Sequence, residues 1–158
     1  MQVLTTNQVE TLNNTLNNFE PSLLLIFQLP KIQEQTDTIG NSLIEATKDV
    51  ANSDVLDAED SFTVAEAVLD FEPKIFSLLD NIQRRKPVFQ DLVLPSLGLE
   101  LISGENSVYK SLQRQKQLSA AFGATVVQKL SEPFTDLAPA INKEISDAFD
   151  EAIATFSP

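Results

Sequence analysis

Residues 63–82 read TVAEAVLDFEPKIFSLLDNI, and their spacing decides the fold class. At 100° per residue, Val64, Ala67, Val68, Phe71, Ile75, Leu78, Leu79 and Ile82 share an arc of about 120°, the apolar stripe of an amphipathic helix. Leu69 and Phe76 extend that surface further round. Thr63-Val64-Ala65-Glu66 has the form of a capping box, with threonine able to cap and glutamate able to reach back, so the helix is expected to open there.

The same spacing recurs on both sides. Thr6 to Phe19 carries Val9, Leu12, Leu16 and Phe19 on one face, although its asparagines make it a poor helix on its own. A longer segment, Ser22 to Ala51, aligns Leu25, Leu29, Ile32, Ile39, Leu43, Ala46 and Val50, and Pro30 is expected to kink it. Asn52 to Asp60 is a polar loop whose Asp54, Asp57, Glu59 and Asp60 only superficially suggest calcium. The central glycine and closing glutamate of an EF-hand loop are not in place. Arg84-Arg85-Lys86-Pro87 ends the next helix, its cations lying where the helix dipole favours them.

Val88 to Ile102 is apolar without being regular, interrupted by Pro95 and Gly98, and reads as a short helix or irregular stretch. Helical spacing returns from Glu105 to Leu130. Ser131-Glu132-Pro133 then marks a new start by capping residue and early proline. The last helix runs to Phe156 with Phe134, Leu137, Ala138, Ile141, Ile145, Ala148, Phe149, Ala152 and Phe156 on its buried face. Strand-type alternation is sustained nowhere, so the chain reads as all-α.

Composition narrows the function. A chain of 158 residues with 42% apolar and 22% charged side chains has the size of one soluble domain and buries roughly 70% of its unfolded surface without disulfides or a structural metal. Histidine, cysteine and tryptophan are all missing. That removes Cys/His zinc sites, thiol nucleophiles and histidine-based triads, so neither an enzyme nor a cofactor is expected. Asp70, Glu72, Asp147, Asp150 and Glu151 could in principle do acid/base work, but they fall on predicted outward faces.

The net charge of −12 opposes nucleic acid and anionic membrane surfaces. The longest apolar run, Leu23 to Phe27, is far short of the roughly 20 residues that span a bilayer, so no stable membrane insertion is expected. Residues Met1 to Thr6 lack the basic and apolar regions of a signal peptide, so a targeting segment is expected to be absent or trimmed. Lack of cysteine fits the cytosol or a secreted domain stable without bridges. Asn13-Asn14-Thr15 is a glycan acceptor pattern, common by chance.

Some polar residues point with the apolar ones. With Leu112 at the origin, Ser119 lies near the centre of the stripe among Val108, Leu112, Phe122, Val126 and Leu130, and Gln115 lies one turn earlier. A buried hydroxyl or amide left unpaired costs roughly 1 to 3 kcal/mol, so each needs a partner. A backbone carbonyl or another helix could supply it, and so could the polar head of a ligand. Gln28, Thr36 and Ser146 are weaker cases, and Tyr109 is a further hydroxyl. Ten phenylalanines could fill a core or line a cavity. Periodicity does not separate the two.

The run Val108-Tyr109-Lys110-Ser111-Leu112-Gln113-Arg114-Gln115-Lys116-Gln117-Leu118-Ser119-Ala120-Ala121-Phe122, followed by Val127-Gln128-Lys129-Leu130 and by Ile141, Ile145, Phe149, Ala152-Ile153 and Phe156-Ser157, resembles the hydrophobic surface-binding protein A family. That family includes the ligand-binding domains of fungal cell-wall galactomannoproteins. The resemblance implies a secreted or wall-attached bundle of about five helices with a long internal cavity for a fatty acid such as arachidonic or palmitic acid. In pathogenic moulds, similar domains are antigens and virulence factors that sequester host lipids. Residues 1–158 would form a single lipid-binding domain, as monomer or homodimer.

Two functions then compete. As a carrier, the chain would hold the fatty-acid head group at Ser119 and Gln115, with Thr125, Ser146 and Tyr109 behind them. The tail would run against Phe71, Ile75, Leu79, Leu112, Phe122, Val126, Ile141, Ile145 and Phe149. As an adsorbing module, its helices would spread on hydrophobic surfaces and recruit partner proteins.

Overall fold

A computed structural model describes residues 6–18, 25–90, 93–95 and 101–158. In chain order the elements are α1 (Thr6–Asn17), α2 (Leu25–Asn52), α3 (Ala58–Arg84), α4 (Lys86–Gln90), β1 (Val93–Pro95), β2 (Leu101–Ser103), α5 (Gly104–Val127) and α6 (Phe134–Phe156). Phe19, Ser22 and the segment around Leu97 and Gly98 lie outside the described residues.

The five long helices pack as a closed ring: α1 against α2, α2 against α5, α5 against α6, α6 against α3, and α3 back against α1. The ring itself explains an interior space. With neighbouring axes 8–10 Å apart, five helices in a regular ring stand about 8 Å from its centre, whereas a helix with its side chains has a radius of about 5–6 Å. Only large inward side chains close such a gap. The main core cluster draws on every ring member, with Leu12 and Leu16 from α1, Ile39 and Leu43 from α2, Leu78 and Leu79 from α3, Leu112 from α5, and Phe149 and Phe156 from α6.

At one end Phe89 of α4 meets Phe156 edge-on, ring centroids 6.0 Å apart. Lys86 fastens that end, donating to the Thr155 carbonyl at 2.6 Å and pairing with Glu105 at 3.0 Å. At the other end Lys129 Nζ donates to the Ser53 carbonyl at 2.6 Å, and Leu56 N donates to the Lys129 carbonyl at 2.7 Å.

Three local features depart from the sequence reading. The third long helix begins at Ala58, ahead of Thr63. Asp57 is its cap, accepting from Asp60 N at 2.9 Å, and Glu59 and Asp60 complement the dipole. Thr63 instead donates to the Glu59 carbonyl inside the helix. Ser131 does not cap α6: its Oγ and N both donate to Ser61 Oγ, at 3.0 and 2.9 Å, and Ser61 is fully buried. Part of the irregular stretch forms a short antiparallel pair, Val93 opposite Ser103 and Leu94 opposite Ile102, as suits branched residues beside helix breakers. Pro30 lies within the first turns of α2.

Candidate functional site

The ring encloses two chambers in line. The inner one, about 120 Å³, is bounded by α1, α2, α3, α5, Phe89 of α4 and Phe149 of α6. The outer one, about 380 Å³, lies between the first half of α3, the second half of α5 and the first two-thirds of α6. Leu43, Phe71, Ile75, Ser119 and Phe149 border both, so they form the partition between them.

Most of the expected site residues meet here. Leu79, Leu112 and Gln115 line the inner chamber. Phe122, Val126, Ile141, Ile145 and Ser146 line the outer one. Phe71, Ile75, Ser119 and Phe149 belong to the partition. Two stand apart. Thr125 borders neither chamber and spends its hydroxyl on the Ala121 carbonyl at 2.8 Å, because it lies about 140° round α5 from Leu112. Tyr109 packs on the main core cluster without reaching either space.

The chambers differ in chemistry. Among the described residues, no charged side chain borders the inner one. There Gln115 Nε2 donates to the Thr36 carbonyl at 3.0 Å, while its Oε1 is buried without a partner. Thr36 donates to the Ile32 carbonyl at 2.8 Å. The outer chamber adds Lys116 and Glu66. Lys116 pairs with Asp150 at 2.6 Å across α5 and α6 and keeps further donor capacity. Sequence reasoning missed it, because charge was counted over the chain rather than along the flank of α5.

The mouth of the outer chamber is apolar. Phe62, Leu69 and Leu137 line it, yet are 52%, 53% and 59% exposed. Phe62 and Phe134 meet edge-on across it, centroids 6.2 Å apart. Close approach of α5 and α6 relies on Gly123, since a Cβ there would come within 2.5 Å of Asn142 Oδ1.

One carboxylate expected to face outward is only partly solvated. Glu72 of α3 is half-buried with an enclosed Oε1. Burial, reinforced by the facing Glu144 carboxyl of α6, raises its pKa above the ordinary carboxylate value. Asp70, Asp147, Asp150 and Glu151 are exposed.

A family model described as hydrophobic surface binding protein A matches residues 2–128. The chain belongs to the hydrophobic surface binding protein A family. The match includes the quoted run from Val108 to Gln128 and stops before α6, so the α6 positions of the resemblance rest on the fold. A search of curated sequences gives no match.

Solved structures supply the comparison for this family member. Afmp4p in complex with palmitic acid has a TM-score of 0.82 at 26% identity, over 96% of this chain and 92% of that one. Ligand binding domain 1 of Penicillium marneffei MP1, complexed with arachidonic acids, has a TM-score of 0.68 at 18% identity, covering 97% and 91%. Domain 2 of the same protein, also with arachidonic acids, gives 0.70 at 14% identity, covering 96% and 87%. The two MP1 domains speak for the helical fold alone.

Proposed function

We propose that residues 1–158 form a single carrier domain that binds and sequesters a long-chain fatty acid such as palmitic or arachidonic acid. One observation carries this reading: two apolar chambers meet at a shared partition whose one polar member is Ser119. The outer chamber alone reaches the usual 300–1,000 Å³ of a ligand site, and the inner one extends it. The carboxylate lies in the outer chamber, held by the Lys116 ammonium, Ser146 and the outer side of Ser119, and the tail passes Phe71 and Phe149 into the inner chamber. Burial at roughly 0.8 kcal/mol per CH₂ supplies the affinity, less the cost of ordering the chain.

Palmitic acid in Afmp4p supports the ligand class. Family membership supports a secreted or cell-wall mannoprotein domain, and withdrawal of host arachidonic acid would be its contribution to virulence. No described helix is long and apolar enough to cross a membrane. Native mass spectrometry of the purified protein, followed by calorimetric titration with palmitate and arachidonate, tests the reading. A bound lipid with submicromolar affinity is expected; no co-purified lipid and no heat of binding would overturn it.

The exposed rim of Phe62, Leu69 and Leu137 favours a second reading, adsorption to hydrophobic surfaces and recruitment of partner proteins. Adsorption to a hydrophobic solid that survives Ser119→Leu but is lost in a Phe62→Ser/Leu137→Ser variant would support it.

A further inference from the structure

The large apolar side chains that stay exposed are not scattered. Among the described residues they are Val55, Phe62, Leu69 and Leu137, and the last three line the outer chamber at its mouth. Single exposed apolar residues are ordinary, whereas a group of them bordered by polar residues marks a contact surface. Phe62 and Leu69 share one face of α3, about 10 Å apart at 1.5 Å per residue. Leu137 belongs to α6, which runs parallel to α3, since Phe62 meets Phe134 near one end of the pair and Thr155 donates to Gln83 near the other. The three therefore surround an opening instead of forming a stripe. A rigid partner seated there would plug the chamber; a fluid lipid layer would feed it.

The charges beside this mouth are of one sign. Glu66 lines the chamber, and the exposed Glu59 and Asp70 lie within about 100° of Leu69 round α3. Exposed Glu144 follows Leu137 by two turns on α6. Lys74 and Lys143, the cations of these stretches, pair with Glu10 and Asp147. Such a rim is repelled by an anionic lipid surface. Phosphatidylcholine has no net charge, and its outermost group is a quaternary ammonium, which carboxylates and the half-exposed ring of Phe62 attract.

We propose that the mouth of the outer chamber docks transiently on a phosphatidylcholine surface and takes its fatty acid directly from that layer, without release into water. The inference rests on the carrier reading and deepens it by naming the source of the ligand.

The test is stopped-flow transfer of a fluorescent anthroyloxy-palmitate from phosphatidylcholine vesicles to the delipidated protein. Transfer by contact is second order, so a tenfold rise in protein should raise the rate constant about tenfold. Diffusion through water would hold it at the rate at which the probe leaves the vesicle. Phe62→Ser/Leu137→Ser should slow pickup from vesicles at least about fivefold more than pickup of the same probe from water, a ratio that cancels general damage. Phosphatidylserine added to the vesicles should slow the wild type about fivefold at low salt. Asp70→Lys/Glu144→Lys, at positions bordering neither chamber, should turn that slowing into acceleration.

A rate constant independent of protein concentration, or a wild type that phosphatidylserine accelerates or leaves unchanged, overturns the proposal and leaves the carrier reading intact. Adsorption to polystyrene without contact transfer from vesicles overturns it too and assigns the rim to solid surfaces. The wild-type dependence decides even if a variant does not fold. If the protein takes up the probe from neither vesicles nor water, both readings fail.

Discussion

The inner and outer chambers are built from the same ring of helices, yet their walls differ in charge and in how far the lining residues are buried. The inner one is walled largely by buried side chains from α1, α2, α3 and α4, and its polarity is neutral. The outer one has a cation in its wall and a mouth whose phenylalanine and leucines remain half in water. The difference separates two duties of the 42% apolar composition. At the inner end apolar residues mainly hold the ring together, and at the outer end they are kept accessible.

Substitutions should therefore part the partition from the mouth by stability first. Phe149→Ala, at a buried position in the partition, is expected to cost about 3–5 kcal/mol by urea unfolding, the usual range for a core phenylalanine. Leu137→Ala, on the exposed rim, should stay within about 0.5 kcal/mol. Equal losses would erase the distinction between partition and mouth residues.

Binding should part them next. Ser119→Leu puts a branched side chain into the partition and should lower palmitate affinity by at least about tenfold, with the far-UV circular dichroism unchanged. Lys116→Met should weaken palmitate about fivefold while sparing hexadecanol, which has no carboxylate for the ammonium to meet. If both ligands weaken alike, the head group is not at Lys116.

The smallest effect is electrostatic. Because the folded protein holds Glu72 above its ordinary pKa, the native state binds more protons than the unfolded chain between those two values. Stability is then lost as pH rises through that window and regained as it falls. Glu72→Gln should stabilise the protein by less than about 1 kcal/mol above the raised value. The gain should vanish below the ordinary carboxylate range, near pH 4. Thermal unfolding at several pH values reads it, and a loss of stability at neutral pH would contradict the assignment.

The sequence made the helical class legible because stripes such as Val64 to Ile82 leave no room for strand alternation. Ring closure was not legible, since it depends on which stripes face one another. Asp57 was hidden as a cap by the acidic residues around it, and the Thr63/Glu66 pattern further on had an equally good local claim. In the site, Ser119 and Gln115 emerged because a stripe centred on Leu112 contains both. Ser107 and Ser111, which also line the inner chamber, did not, because steps of four residues drift about 40° round the helix and leave a fixed arc. The partition residues were found as face members, but nothing in periodicity tells a wall from a filled core.

The central claim is that one ligand chain runs through both chambers, and a chain-length series tests it most directly. In calorimetric titrations from octanoate to stearate, affinity should keep rising with each added CH₂, by up to about 0.8 kcal/mol, until the chain has crossed the partition and filled the inner chamber. Ser119→Leu should halt that rise at a shorter chain. A wild-type affinity that levels off at the shortest acids, or that does not respond to chain length at all, would contradict the account.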